Sequence, residues 1–199
     1  QYFIYTVQSC ANKPPDLAWQ FRTQTQGGWG APAHGGNPGS YRDDHFGQAF
    51  PSGLAIGDTA PAEDPDGFTV LFTSAQAVEG FLPGKGQPGV LTADITDPTD
   101  TSAGVLAGQV AALSLNVRFD LVDPDFSASL VHLEDLEVAD PSSSCYGWTV
   151  GEVLAEANRI LGGMGSGLTP AQINECVSRI NENFVDGTID EGFLKLPSP

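Results

Sequence analysis

The first apolar run of the chain, Tyr2–Val7 (YFIYTV), combines Tyr2, Phe3, Ile4, Tyr5, Thr6 and Val7 and predicts a β-strand. It lacks the alternation of a strand with one wet face, so both faces call for burial. Lys13-Pro14-Pro15 ends it. Ala18–Thr25 (AWQFRTQT) alternates loosely and predicts a second strand, stopped by Gly27-Gly28. From Gly27 to Gly57 the periodicity disappears. Glycine, proline, asparagine and isolated aromatics there predict a long loop-rich region pinned by Trp29, Tyr41, Phe46 and Phe50. Phe68–Thr73 reads as a strand, and Ser74 is placed to cap a short helix over Ala75–Leu82, stopped by Pro83-Gly84. Gly84–Gly89 and Asp94–Asp100 read as loops. Ala103–Phe119 carries two periods at once. Leu106, Val110, Leu113 and Val117 form a helical stripe, while Leu113, Leu115, Val117 and Phe119 alternate as in a strand. The alanine-rich front favours helix. Leu133–Val138 is a candidate short strand.

The last third is patterned more sharply. Thr149, with Glu152 three residues on, spells a capping box for a helix running to Leu161. Val150, Val153, Leu154, Ala157, Ile160 and Leu161 form its stripe, and Gly162-Gly163 ends it. Thr169-Pro170 opens another helix, striped by Ile173, Cys176 or Val177, Ile180 and Phe184 and closed by Asp186-Gly187. A short glycine loop between them predicts an α-helical hairpin. The predicted fold class is therefore α+β: one globular domain over residues 13–199 with N-terminal β-strands, a loop-rich glycine/aromatic region and the C-terminal hairpin. Residues 1–12 form a leading strand, either part of the domain's own sheet or exchanged between subunits.

Charge narrows the choice of partners. Twenty-five acidic against eight basic side chains in 199 residues give a net charge of -17. Such a surface repels nucleic acid and anionic membranes. No apolar run reaches the ~18–20 residues of a membrane span, so no membrane insertion is expected. The start at Gln1, with no initiator methionine, is what a mature chain with its leader removed would show. Cys10, Cys145 and Cys176 are an odd set without CxxC spacing. In an exported protein they predict one intramolecular disulfide and one free or intermolecular thiol, with the pairing left open.

Candidate chemistry is sparse. His34, His45 and His132 are the only histidines, and Arg42-Asp43-Asp44-His45 sets carboxylates beside an imidazole without further catalytic partners. No GxSxG elbow, P-loop or dinucleotide fingerprint is present. Asp64-Pro65-Asp66-Gly67, Asp120-x-x-Asp123-x-Asp125 and Asp186–Glu191 gather carboxylates on turns, and Asp120, Asp123 and Asp125 are the candidate Ca²⁺ ligands. Asx-turn and capping roles account for the same residues without metal. Trp19, Trp29, Tyr41 and Trp148 are residue types that stack on sugars, with Trp29 and Tyr41 the candidate ligand-facing pair.

Taken in order, FRTQTQGGWGAPAHGGNPGSYRDDHFGQAFPSGLAIGD, FTSAQAVEGFLP, VLAGQVAALSLNVRFD, GWTVGEVLAEANRILGG and INENFVDGT resemble a module of secreted and cell-surface bacterial proteins. That module occurs in adhesin-like and matrix proteins of gliding and related bacteria. The resemblance covers Phe21 to Leu194 and implies export and a surface or matrix role; it supplies no catalytic residues. Sequences of that type carry cysteines where this chain has Asp58 and Met164, which implies a lost disulfide. Two functional expectations follow. The first is a non-catalytic, self-assembling subunit of an extracellular filament or surface array, joined to copies of itself through Tyr2–Val7. The second is an adhesive or glycan-binding surface module using the glycine/aromatic region, with Ca²⁺ as its candidate cofactor.

Overall fold

The computed structural model describes residues 17, 20–58, 67–165 and 167–197. The strand expected at Tyr2–Val7, together with Cys10, Trp19 and Asp64-Pro65-Asp66, lies outside the described residues.

The chain is a single α+β domain built around helix α4 (Val105–Val122). Leu106, Val110, Leu113, Leu115, Val117 and Phe119 are all buried, so both stripes seen in the sequence belong to one helix enclosed on nearly every side. By length and composition α4 could cross a membrane, but 78% of it is buried inside the domain. Its partners are α5 (Val150–Leu161) and α6 (Pro170–Asn183), which also pack on each other. Both begin with the capping boxes the sequence spells: Thr149 with Glu152, and Thr169 with Gln172. Their expected stripes face the core, from Val150 to Leu161 and from Ile173 to Ile180, with Phe184 buried just beyond.

Two small sheets flank the helices. In the first, β1 (Leu54–Gly57) pairs antiparallel with β2 (Thr69–Phe72), which pairs parallel with β3 (Ile95–Thr96). Helix α3 (Ala75–Phe81) follows β2, capped by Ser74 as expected. In the second, β4 (Glu137–Val138) pairs antiparallel with β5 (Leu194–Lys195). A single 3₁₀ turn at Leu133–Asp135 precedes β4, so only the last part of the strand expected at Leu133–Val138 is extended.

Two expectations need larger correction. Phe21–Thr25 is not a strand; its one ladder contact is an isolated parallel bridge from Thr23 to Val185. The region 27–57 is not mainly loop. It holds α1 (Gln26–Trp29), α2 (Pro38–Ala49) and β1. Asn37 caps α2 by accepting the Ser40 N–H, and Pro38 takes the first turn, where no N–H is needed. No apolar stripe announced this helix because its core-facing side consists of Gly39, Arg42, Phe46 and Ala49. Gly39 lets α2 cross directly over the Ala31 carbonyl, where a Cβ would collide.

Candidate functional site

The motifs that set this chain apart meet in a buried hydrogen-bond network centred on Asn116 of α4. Its side-chain oxygen accepts the Gln24 N–H (2.8 Å) and the Trp29 indole N–H (3.0 Å). Its amide donates to the Gln24 carbonyl (2.9 Å) and to Asn181 Oδ1 (2.9 Å). Asn181 in turn donates to the main-chain and side-chain oxygens of Gln109 (3.0 and 2.9 Å). Thr23 receives the Phe184 N–H on its hydroxyl and donates its own N–H to the Phe184 carbonyl. Asn116 and Asn181 are wholly buried. Polar groups so enclosed are costly unless satisfied, and here each finds a partner. TQTQGGWG, AGQVAALSLNV and INENFVDGT are therefore tied together as architecture.

Trp29, a candidate ligand-facing residue, is 1% exposed and lies 5.3 Å from the Phe119 ring and 6.1 Å from Phe126. It is a core anchor and offers no face to a ligand. Tyr41 is half-buried; its hydroxyl donates to Asp123, and its ring stacks on His45 at 4.0 Å. Burial, then the hydrogen bond to the Asp123 carboxylate, holds the Tyr41 phenol well above its usual range. Desolvation pushes the Asp123 carboxyl up, but the Tyr41 hydroxyl, the Asp125 N–H and His45 outweigh it and leave it lowered.

The Ca²⁺ candidates do not converge. Asp120 points into the domain from α4, where it accepts the Ser127 hydroxyl and the Leu133 N–H (2.7 Å). Asp123 caps the end of α4 against Tyr41, and Asp125 lines a separate cleft. Among the described residues no three His, Cys, Asp or Glu side chains come close enough to hold a metal ion. The Arg42–His45 cluster is divided as well. Arg42 is buried, donates to the Trp29 carbonyl and pairs with Asp43 and Glu79. His45 turns the other way, its Nε2 3.5 Å from Asp123.

Two surface features could engage a partner. One is a cleft of about 370 Å³ lined by Phe21, Arg22, Asp125, Phe126 and Asp186. The Arg22 guanidinium lies over the rings of Phe126 (5.6 Å) and Tyr41 (5.8 Å), and its buried Nε has no hydrogen-bond partner among the described residues. The second is a mostly apolar groove of about 360 Å³ beside β5, lined by Leu17, Ala139, Gly192, Leu194 and Leu196 together with Asp190 and Lys195. Ala139 N–H donates to the Phe193 carbonyl (2.8 Å), and Glu137 pairs with Lys195. Antiparallel alternation therefore turns the main-chain groups of the intervening pair, Val138 and Leu194, away from each other. Those of Val138 are met by Trp148 O (2.9 Å) and Gly147 N (3.0 Å). Those of Leu194 face the opposite side, where among the described residues no main-chain partner meets them, and Leu194 is buried there at 3% exposure. Sequence reasoning missed this edge, since two strand residues leave no period to detect.

Cys145 and Cys176 form a disulfide, giving the one intramolecular bond expected. It is fully buried and joins the segment after β4 to α6. No family model matches the chain, and neither a curated protein nor a solved structure matches it.

Proposed function

We propose that this protein is an exported, non-catalytic structural subunit that assembles with copies of itself into an extracellular filament or surface array, in keeping with the bacterial surface modules its motifs resemble. The observation that carries the reading is the mostly apolar groove of about 360 Å³ beside β5, since apolar surface of this kind is what contacts between subunits cover. The buried disulfide suits an oxidising compartment outside the cytosol. A net charge of -17 keeps copies from sticking indiscriminately, so assembly has to run through a specific contact. The glycan-binding alternative loses Trp29, which the core has taken.

The test is native mass by light scattering and electron microscopy of the full chain across a concentration series at physiological salt. Discrete oligomers or filaments are expected. A particle that stays monomeric up to millimolar concentration would overturn the reading.

A further inference from the structure

The cleft of about 370 Å³ lined by Phe21, Arg22, Asp125, Phe126 and Asp186 shares no residue with the groove beside β5. We propose that it binds small amino acids, molecules with a carboxylate and an ammonium on one short skeleton, the carboxylate on Arg22 and the ammonium on Asp125. This inference stands apart from the self-assembly reading.

Three observations carry it. The first is the state of Arg22. Of the five arginines, Arg42, Arg159 and Arg179 each pair with a carboxylate, and Arg118 donates to the Ala49 carbonyl. The part-exposed Arg22 does neither among the described residues, in a chain with twenty-five acidic side chains. Phe126 and Tyr41 hold the face of its guanidinium instead. Stacking of that kind occupies the face and leaves the edge, where the N–H groups point. With Nε buried, the edge left to a ligand is the Nη pair, a fork that matches the two oxygens of a carboxylate.

The second observation is Asp125, on the segment that follows α4. Its N–H is held by Asp123 Oδ1 at 2.9 Å, which fixes the turn, while its own carboxylate is exposed and engages nothing among the described residues. Arg22 and Asp125 thus line one cleft with opposite charges and do not pair with each other. Asp186 is differently placed, because its Oδ1 already accepts the Gln24 amide at 2.8 Å.

The third is the sum of the charges. A plain anion entering the cleft meets Asp125, Asp186 and the field of a protein carrying -17. A plain cation meets Arg22. A molecule that carries both charges and no net charge escapes both penalties and satisfies both walls. The volume lies at the small end of ligand sites, which suits a compound of this size.

Calorimetric titration of the full chain at neutral pH and low salt tests this. Glycine, β-alanine, 4-aminobutanoate and 6-aminohexanoate vary the spacing of the two charges; propanoate and butylamine carry one charge each. At least one amino acid should bind about tenfold more tightly than either single-charge compound. The same titration followed by nitrogen-15 NMR should move the Arg22 Nε–H signal, assigned by its loss in Arg22→Lys. Arg22→Gln should weaken binding about tenfold, and Arg22→Lys, which keeps the charge without the fork, by less. Asp125→Asn alters an exposed group that holds nothing in place, so it leaves the urea midpoint unchanged and should weaken binding about threefold. Propanoate binding as tightly as every amino acid would overturn the pairing with Asp125. Binding unaffected by Arg22→Gln and Asp125→Asn would place the ligand elsewhere and overturn the site. Neither heat nor movement of the Arg22 signal up to about 50 mM ligand would overturn the proposal altogether.

Discussion

Replacing Asn116 with leucine is the sharpest test of the central network. The two side chains are similar in size, so the volume filled changes little, and the perturbation is the loss of one polar group with four partners. Gln24 N–H, Gln24 C=O, the Trp29 indole N–H and Asn181 Oδ1 would all be stranded in a buried site. A buried donor or acceptor left unsatisfied costs ~1–3 kcal/mol, so four cost about 4 kcal/mol even at the low end. That is comparable with the ~5–15 kcal/mol that holds a domain of this size together. The assay is urea unfolding followed by tryptophan fluorescence, analysed by linear extrapolation with the disulfide intact. Asn116→Asp keeps the acceptor toward Gln24 and Trp29 but turns an oxygen on the Gln24 carbonyl and Asn181 Oδ1, so it should fare no better. Ser114→Ala, which removes a hydroxyl bonded only to the Val110 carbonyl one turn back, should stay within about 0.5 kcal/mol of the parent. A loss below about 1.5 kcal/mol for Asn116→Leu would refute the network's role in stability.

Cys145→Ser with Cys176→Ser opens a loop closed over a sequence separation of 31 residues. Chain entropy then predicts a loss of about 3.5 kcal/mol, measured as a lower urea midpoint; an unchanged midpoint would contradict it. Gly108→Ala would set a Cβ 2.7 Å from the Gly84 main-chain nitrogen, against backbone that cannot step aside. It should cost ~1–3 kcal/mol, whereas Gly80→Ala, exposed on α3 with open space around it, should stabilise by about 0.5 kcal/mol. Thermal melts of the two decide the matter. The Asp140 carboxyl, held by the Arg179 guanidinium and then by Ser142, should titrate at about 2 in carboxyl-detected NMR. Because this value is depressed on folding, its contribution is present above the unfolded value of ~3.9 and fades as pH falls toward about 2. Arg179→Gln should bring the midpoint up toward ~3.9, and no movement would assign the shift elsewhere.

What could be read from the sequence was what depends on near neighbours. Ser74, Thr149 and Thr169 announce their helices because a cap is completed within three residues. Helices α5 and α6 show their stripes because each buries one side only. Helix α2 failed the same test for a physical reason. Its inward side holds the buried Arg42, whose charge is answered by Asp43 and by Glu79 thirty-seven residues away. An arginine at a core position reads as a solvent face until its partner is known. The usable signal there was Asn37-Pro38, a cap followed by a proline at the first turn. Thr23 and Gln24 were misread as strand because what fixes them sits on Asn116 and Phe184, 92 and 161 positions on. The aspartate triplet failed on geometry. Helix α4 ends at Val122, so Asp120 is turned inward as part of the helix while Asp123 and Asp125 follow the chain out of it.

This division bears on where function can reside. Asn116 meets its four partners only if the backbone at Gln24 passes it with both polar groups presented, if Trp29 turns its indole edge inward, and if α6 holds Asn181 in register. Each requirement fixes a residue type, so the network writes itself into the sequence as a recognisable string, and the string reports the scaffold.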